Sequence, residues 1–185
     1  MPSATASPLA PQDWVRAATR AVAEGGIANI SVERLARSMG TTKGSFYWHF
    51  KGRPALVAAV LEAWEAQTEA LIARTDRLED RQARIDGLFR SVFDEGPAAT
   101  VELALLADAD DPRVAAALER VTTRRLGYLE GLFEQEDREV AEDRALVAYT
   151  TFLGLLLLRR ADPDAVPIGR RLERFVATLI DQLLA

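Results

Sequence analysis

The stretch from Ser31 to Lys51 constrains this chain most, because two short helical segments there stand on either side of a single glycine. Val32, Leu35, Ala36 and Met39 recur at helical spacing and form one apolar face. Ser31 stands just ahead of that face as an N-cap, with Glu33 in the first turn, where the helix dipole favours a carboxylate. Gly40 follows the last apolar residue, where a left-handed stop is cheapest. Thr41 or Thr42 then caps a second helix running through Lys43, Gly44 and Ser45 into Phe46, Tyr47, Trp48, His49 and Phe50. Two helices joined by so short a turn predict a helix-turn-helix, whose second helix enters the DNA major groove.

The run Gly44-Ser45-Phe46-Tyr47-Trp48-His49-Phe50-Lys51 resembles the recognition-helix signature of the TetR family of transcriptional repressors. The resemblance reaches back through Ala17-Ala18, Gly25-Gly26 and Ser31-Val32, and forward through Arg53 and Leu56, covering roughly residues 13–61. It implies an all-α fold: an N-terminal three-helix head, and a larger C-terminal helical bundle for ligand binding and dimerisation. By resemblance, Thr42, Lys43, Gly44 and Ser45 lie at the groove-reading turn, Tyr47, Trp48 and His49 contact sugar and phosphate, and Ser31 is a further DNA-binding candidate. Lys43 is suited to guanine O6 or N7. Gly44 has no side chain to read a base, a departure from motifs with a larger reader, so preference rests on Lys43, Ser45 and DNA shape. Gly52 likewise stands where relatives often carry a better cap. Lys51 and Arg53, at the next helix start, suit a phosphate contact.

The charge distribution agrees with this plan. The chain carries −5 overall, yet residues 1–61 hold seven basic residues (Arg16, Arg20, Arg34, Arg37, Lys43, Lys51, Arg53) against three acidic ones. A basic head can meet phosphates while an acidic body stays off the duplex. There is no cysteine, which removes disulfides and thiolate metal sites and suits a reducing cytoplasm. The N-terminus lacks a signal-peptide pattern, and the longest apolar run, 150–158, is far short of a membrane span. A soluble, cytoplasmic protein is expected. His49 is the only histidine, so neither a histidine metal cluster nor a catalytic triad can be built, and no cofactor or metal is called for.

Along the chain, residues 1–12 with Pro2, Pro8 and Pro11 read as a disordered tail. A first helix is expected from Asp13 as cap to Gly25-Gly26, burying Trp14 or Val15, Ala17, Ala18, Ala21 and Val22. The head should span 13–53 and the body 54–185, joined by a helix over 54–74. Further helices are expected near Leu78–Asp94, Ala98–Ala107, Pro112–Glu134 and Arg138–Arg160, then a final helix through Leu172–Leu183. The acidic cluster Asp108–Asp111 reads as a loop in which Asp111 caps the helix opened by Pro112. The segment 149–158 is apolar on nearly every face and should be buried on all sides. A partner chain would do this, giving a homodimer interface built from Leu153, Leu156, Leu157, Phe175, Leu179 and Leu183.

Two-fold symmetry would demand a palindromic double-stranded DNA site. In the family a small molecule bound in the body releases the DNA. The candidate lining here is Trp64, Phe89, Phe93, Leu103 and Leu106, with Tyr128, Thr150, Thr151 and Phe152, a set suited to a mostly apolar ligand. Three functions are in play. The first is a ligand-released repressor, and the second a DNA-binding activator or architectural protein without an effector. The third is a helical enzyme or carrier; the lone histidine, missing cysteine and missing Gly-rich phosphate loop argue against the enzyme.

Overall fold

A computed structural model describes residues 9–91, 97–133, 137–166 and 169–184. The described chain is helical, without a strand: α1 (Pro11–Gly25), α2 (Val32–Ser38), α3 (Lys43–His49), α4 (Arg53–Thr75), α5 (Arg81–Ser91), α6 (Pro97–Ala107), α7 (Pro112–Leu132), α8 (Arg138–Ala161) and α9 (Gly169–Leu184). Short 3-10 turns follow α1 at Ile27–Asn29 and α8 at Pro163–Ala165.

The first helix starts earlier than expected. Pro11 opens it, since a proline's missing N–H is no loss in a first turn. Asp13 is therefore not the cap itself. It sits inside the first turn and reaches back, its Oδ2 accepting the Ala10 N–H at 2.7 Å. The expected tail is thus helical from Pro11 onward; residues 1–8 lie outside the described residues.

The chain folds into two compact units, one comprising residues up to Trp64 together with Thr100–Ala115, the other the remainder. The boundary expected after Arg53 falls later, within α4, and 100–115 joins the first unit despite its distance in sequence. A carboxylate explains part of this. Asp108, just past α6, accepts the Ile27 N–H at 2.6 Å, satisfying a donor of the 3-10 turn that precedes α2. Gly26 lies beneath it with φ +70° and ψ −173°, a region open essentially only to glycine. Asp111 does cap α7 as expected, accepting the Arg113 N–H at 3.0 Å.

In the first unit Trp14, Ala18, Val22, Ile30, Phe46, Leu56 and Val57 are buried. In the second, Ile85 and Phe89 of α5, Leu129 and Leu132 of α7, Ala145 and Tyr149 of α8, and Val176, Ile180 and Leu183 of α9 form a single apolar cluster. Paired side chains tie α4 to α7: Arg120 holds Glu65 through two bonds of 2.9 and 2.6 Å, and Arg124 holds Glu69 through two of 2.8 and 3.1 Å. Numbers rise together on both sides, so the two helices run in the same direction there.

The expectation that α8 is buried on every side does not hold within one chain. Leu155 and Leu156 are buried, but Leu146, Val147, Leu157 and Leu158 are each at least half exposed. Val147, Thr150, Gly154, Leu157 and Leu158 recur in steps of three and four, so they form one outward stripe. Of the expected interface residues, Leu156 and Leu183 are buried in the chain itself, and Leu153, Phe175 and Leu179 pack partly against the core cluster. Leu157 alone of the six stands well out, at 57% exposure.

A Cβ at Gly26 would lie 2.3 Å from Asp108 Oδ2. Gly26→Ala is therefore expected to destabilise the protein by about 2–3 kcal/mol in denaturant unfolding, from strain and clash together. Gly26→Ala combined with Asp108→Ala should lose clearly less than the two single changes summed, because the clash is then absent.

Candidate nucleic-acid interface

The turn between α2 and α3 is built from local hydrogen bonds. Ser31 Oγ accepts the Arg34 N–H at 3.4 Å at the start of α2. At its other end Gly40 is left-handed, φ +66°, and the Thr41 N–H reaches back to the Ala36 carbonyl at 2.9 Å. The left-handed stop expected at this glycine is thus present, and the 6→1 bond makes it a Schellman motif. Thr42 then caps α3, its Oγ1 accepting the Ser45 N–H at 3.3 Å.

Only one face of α3 is committed inward. Phe46 is fully buried, edge-on to Trp14 with ring centroids 5.2 Å apart, and stacks on Phe50 at 5.5 Å. Phe50 is half-buried. The opposite face is open: Tyr47 is 62% and Trp48 88% exposed, and Thr42, Lys43, Gly44, His49 and Lys51 are exposed too. Tyr47 and Trp48 are therefore not core aromatics. Gly44 has room around it, with only its own cap, Thr42 Oγ1, within 3.5 Å of a would-be Cβ.

Two cations are already engaged. Lys43 Nζ sits 2.8 Å from Glu33 Oε2, joining α3 to α2. Arg53 turns inward: its Nε donates to the Ile30 carbonyl at 2.9 Å and one Nη to the Ile27 carbonyl at 2.6 Å. In this state Arg53 pins the turn beneath the head rather than offering its whole guanidinium to a phosphate. Lys51 stays exposed at the same helix start.

In the second unit a cavity of about 60 Å³ is lined by Thr68, Leu71 and Ile72 of α4, Leu88 and Phe89 of α5, Arg125, Tyr128 and Leu129 of α7, and Ala148, Tyr149 and Phe152 of α8. Of the residues expected to line a ligand site, it brings together Phe89, Tyr128 and Phe152. Trp64, Leu103 and Leu106 do not line it, and Phe93 lies outside the described residues. Thr150 and Thr151 direct their hydroxyls onto the helix, donating to the Val147 carbonyl at 3.1 and 2.7 Å. Arg125 joins the site too, although it is not among the residues expected there. Its guanidinium lies 5.3 Å from the Phe152 ring centre and 6.0 Å from that of Tyr149, and it donates to Thr68 Oγ1 at 3.2 Å. Tyr128 donates to Asp76 Oδ1 at 3.2 Å, and burial, then the Asp76 charge, push its phenol up to about 12.

The family model for bacterial regulatory proteins of the tetR family matches residues 15–60, which include α2, α3 and the turn between them. The transcriptional regulator BetI 2 of Chromohalobacter salexigens is 32% identical over 133 residues, 68% of this chain and 64% of that protein. Among solved structures, a transcriptional regulator from Rhodococcus sp. Rha1 superposes with a TM-score of 0.80 at 22% identity, over 95% of this chain and 96% of that one. Residues 15–60, the head, are those of a TetR-family protein.

The tetracycline repressor of class A from Escherichia coli is also similar, 32% identical over 108 residues, 58% of this chain and 45% of that protein. These alignments span less than two thirds of either curated relative. The TetR signature at 44–51 thus coincides with an outward-facing, capped helix. Thr68, Leu71 and Ile72 are hard to single out by sequence because α4 carries apolar residues on several faces, while Arg125 reads as one more surface charge. A helical-wheel alignment of α4 with α7, anchored on the Glu65/Glu69 and Arg120/Arg124 steps, is the signal that places them together.

Tyr128 gives this chain a measurable high-pH signature. The folded state keeps a phenol proton that the unfolded chain releases near its ordinary value of 10.0. Stability is thus expected to fall as pH rises from about 10 toward about 12. In an ultraviolet phenolate titration one of the three tyrosines should titrate last, and Tyr128→Phe should delete that late component.

Proposed function

We propose that this protein is a dimeric, sequence-specific DNA-binding transcriptional regulator, acting as a repressor released from a palindromic operator by a small, mostly apolar effector. The observation that carries the reading is α3 itself: a helix anchored through Phe46 whose other face leaves Tyr47, Trp48 and His49 in solvent. Tyr47 and Trp48 side by side, 62% and 88% exposed, make an aromatic patch of the kind that marks a binding surface. Stacking against deoxyribose, with Lys51 and the α4 start at phosphate, is the cover that fits the chemistry.

The outward stripe of α8 supports the dimer. Leu146, Val147, Leu157 and Leu158 present apolar surface that a second copy would remove from water across a two-fold axis. Two heads then meet successive major grooves, with half-site centres about 34–36 Å apart. The effector reading is supported by the apolar cavity among α4, α5, α7 and α8, framed by Leu71, Ile72, Leu88, Phe89 and Phe152. At about 60 Å³ it is smaller than the roughly 300 Å³ that a drug-sized ligand needs. An effector therefore binds a more open state, and release follows if that state holds the heads at another spacing. The tetracycline repressor, a relative by sequence, supports the repressor sign.

Selection of the purified protein against a random duplex library at near-physiological salt is expected to enrich one palindrome, with affinity falling steeply as salt rises. Lys43→Ala with Tyr47→Ala should abolish that binding; sequence-independent binding that survives both changes rejects the reading. Leu157→Arg is expected to yield monomers in sedimentation and to weaken operator binding by at least about tenfold, since single heads lose the avidity of two.

A further inference from the structure

A carboxylate on the reading face of a DNA-binding head demands an explanation, because the partner is a polyanion. Glu33 is such a group. It stands in the first turn of α2, 57% exposed, with Oε2 2.8 Å from Lys43 Nζ and Oε1 3.5 Å from Arg37. Hydrogen bonding from Lys43, then its charge, holds the Glu33 carboxyl below the usual range, so it stays ionised wherever DNA binds. An exposed pair of this kind contributes little to stability by itself. Its geometry is more informative than its energy.

An ammonium has three N–H donors, and Glu33 occupies one. Two remain, beside a carboxylate that keeps acceptor capacity of its own. Together Lys43 and Glu33 display two adjacent donors and then an acceptor. A G·C pair displays the complement across its major-groove edge: acceptors at guanine N7 and O6, then a donor at cytosine N4. Cytosine N4 and guanine O6 are themselves hydrogen-bonded, so they lie about 2.9 Å apart. That matches the 2.8 Å between Oε2 and Nζ. An A·T pair offers acceptor, donor, acceptor, which never places two acceptors side by side, and it adds the thymine methyl.

We propose that Glu33 and Lys43, as one hydrogen-bonded ion pair, read a single G·C base pair in each half-site, lysine donating to guanine N7 and O6 while the carboxylate accepts from cytosine N4. The inference rests on the reading of α3 as the major-groove helix. It makes Glu33 a specificity-determining residue. The same carboxylate repels phosphates at every other register, so it lowers non-specific affinity while sharpening choice at one position.

The test is a competition assay on the selected palindrome, with all four base pairs tried at each half-site position, for the full-length wild type, Glu33→Ala and Lys43→Ala. Wild type is expected to prefer G·C at one position by about tenfold or more. Glu33→Ala should reduce that preference to within about threefold at that position alone, while its affinity for unrelated duplex rises because an anion has gone. Lys43→Ala should flatten the same position. Circular dichroism checks that both variants keep their helix content. If Glu33→Ala strengthens all duplexes equally and keeps the base preference, Glu33 only repels and the inference is overturned. It is overturned equally if the two variants relax different positions. If wild type enriches no sequence at all, the reading of α3 fails and the inference falls with it.

Discussion

The contact between Trp14 and Phe46 is the one on which the head depends. At seven residues α3 is far too short to persist alone, since an isolated helix of that length never recovers its nucleation cost. It exists because Phe46 is fully buried against α1 and because Thr42 closes its first turn. That division of labour leaves the remaining residues free of structural duty. A side chain that packs cannot read DNA, and one that reads cannot pack, so a short helix with a single deep anchor gives the largest open face per residue. Gly44 fits this arrangement, exposed and weakly helix-forming, yet tolerated because neighbours on both sides supply the anchorage.

Much of this is legible in the sequence because the governing interactions are local. Ser31, Gly40 and Thr42 act within four or five residues of themselves, so their types and spacing suffice to place two helices and the turn between them. The same local logic misplaces the start of α1, where Pro11 and Asp13 are both plausible openers; a carboxylate inside the first turn bonding backward looks, in sequence, like one that caps. The contribution of Asp108 cannot be read at all. It answers the Ile27 N–H across 81 residues of chain, and although Pro112 marks Asp111 as the cap of α7, nothing in the run marks Asp108 as the member that reaches the 3-10 turn.

The body is legible in outline and not in detail, for a different reason. Helix period and breakers mark where α7, α8 and α9 lie, but in a segment such as 149–158 apolar residues occupy every face. Periodicity then carries no phase. Leu156 and Leu157 are adjacent and chemically identical, yet one is 2% and the other 57% exposed, a difference that only tertiary packing decides. The same loss of phase blurs the lining of the cavity: of the residues expected to line it, Phe89, Tyr128 and Phe152 converge there, whereas Thr150 turns its hydroxyl onto its own helix.

The cavity shows how the second unit divides its tasks. The ion pairs between α4 and α7 are exposed, so each contributes modestly and is weakened by salt. What they fix is register, holding Thr68 opposite Arg125 and Asp76 opposite Tyr128. The resistance to widening comes instead from the apolar walls, where Ile72, Phe89 and Leu129 lose contact with each other if the helices part. A ligand that replaces those contacts atom for atom removes most of that resistance while leaving the register intact. On the proposed reading the helices would separate without slipping, and an effector chosen chiefly by its apolar volume would be converted into one reproducible displacement rather than a loosening of the bundle.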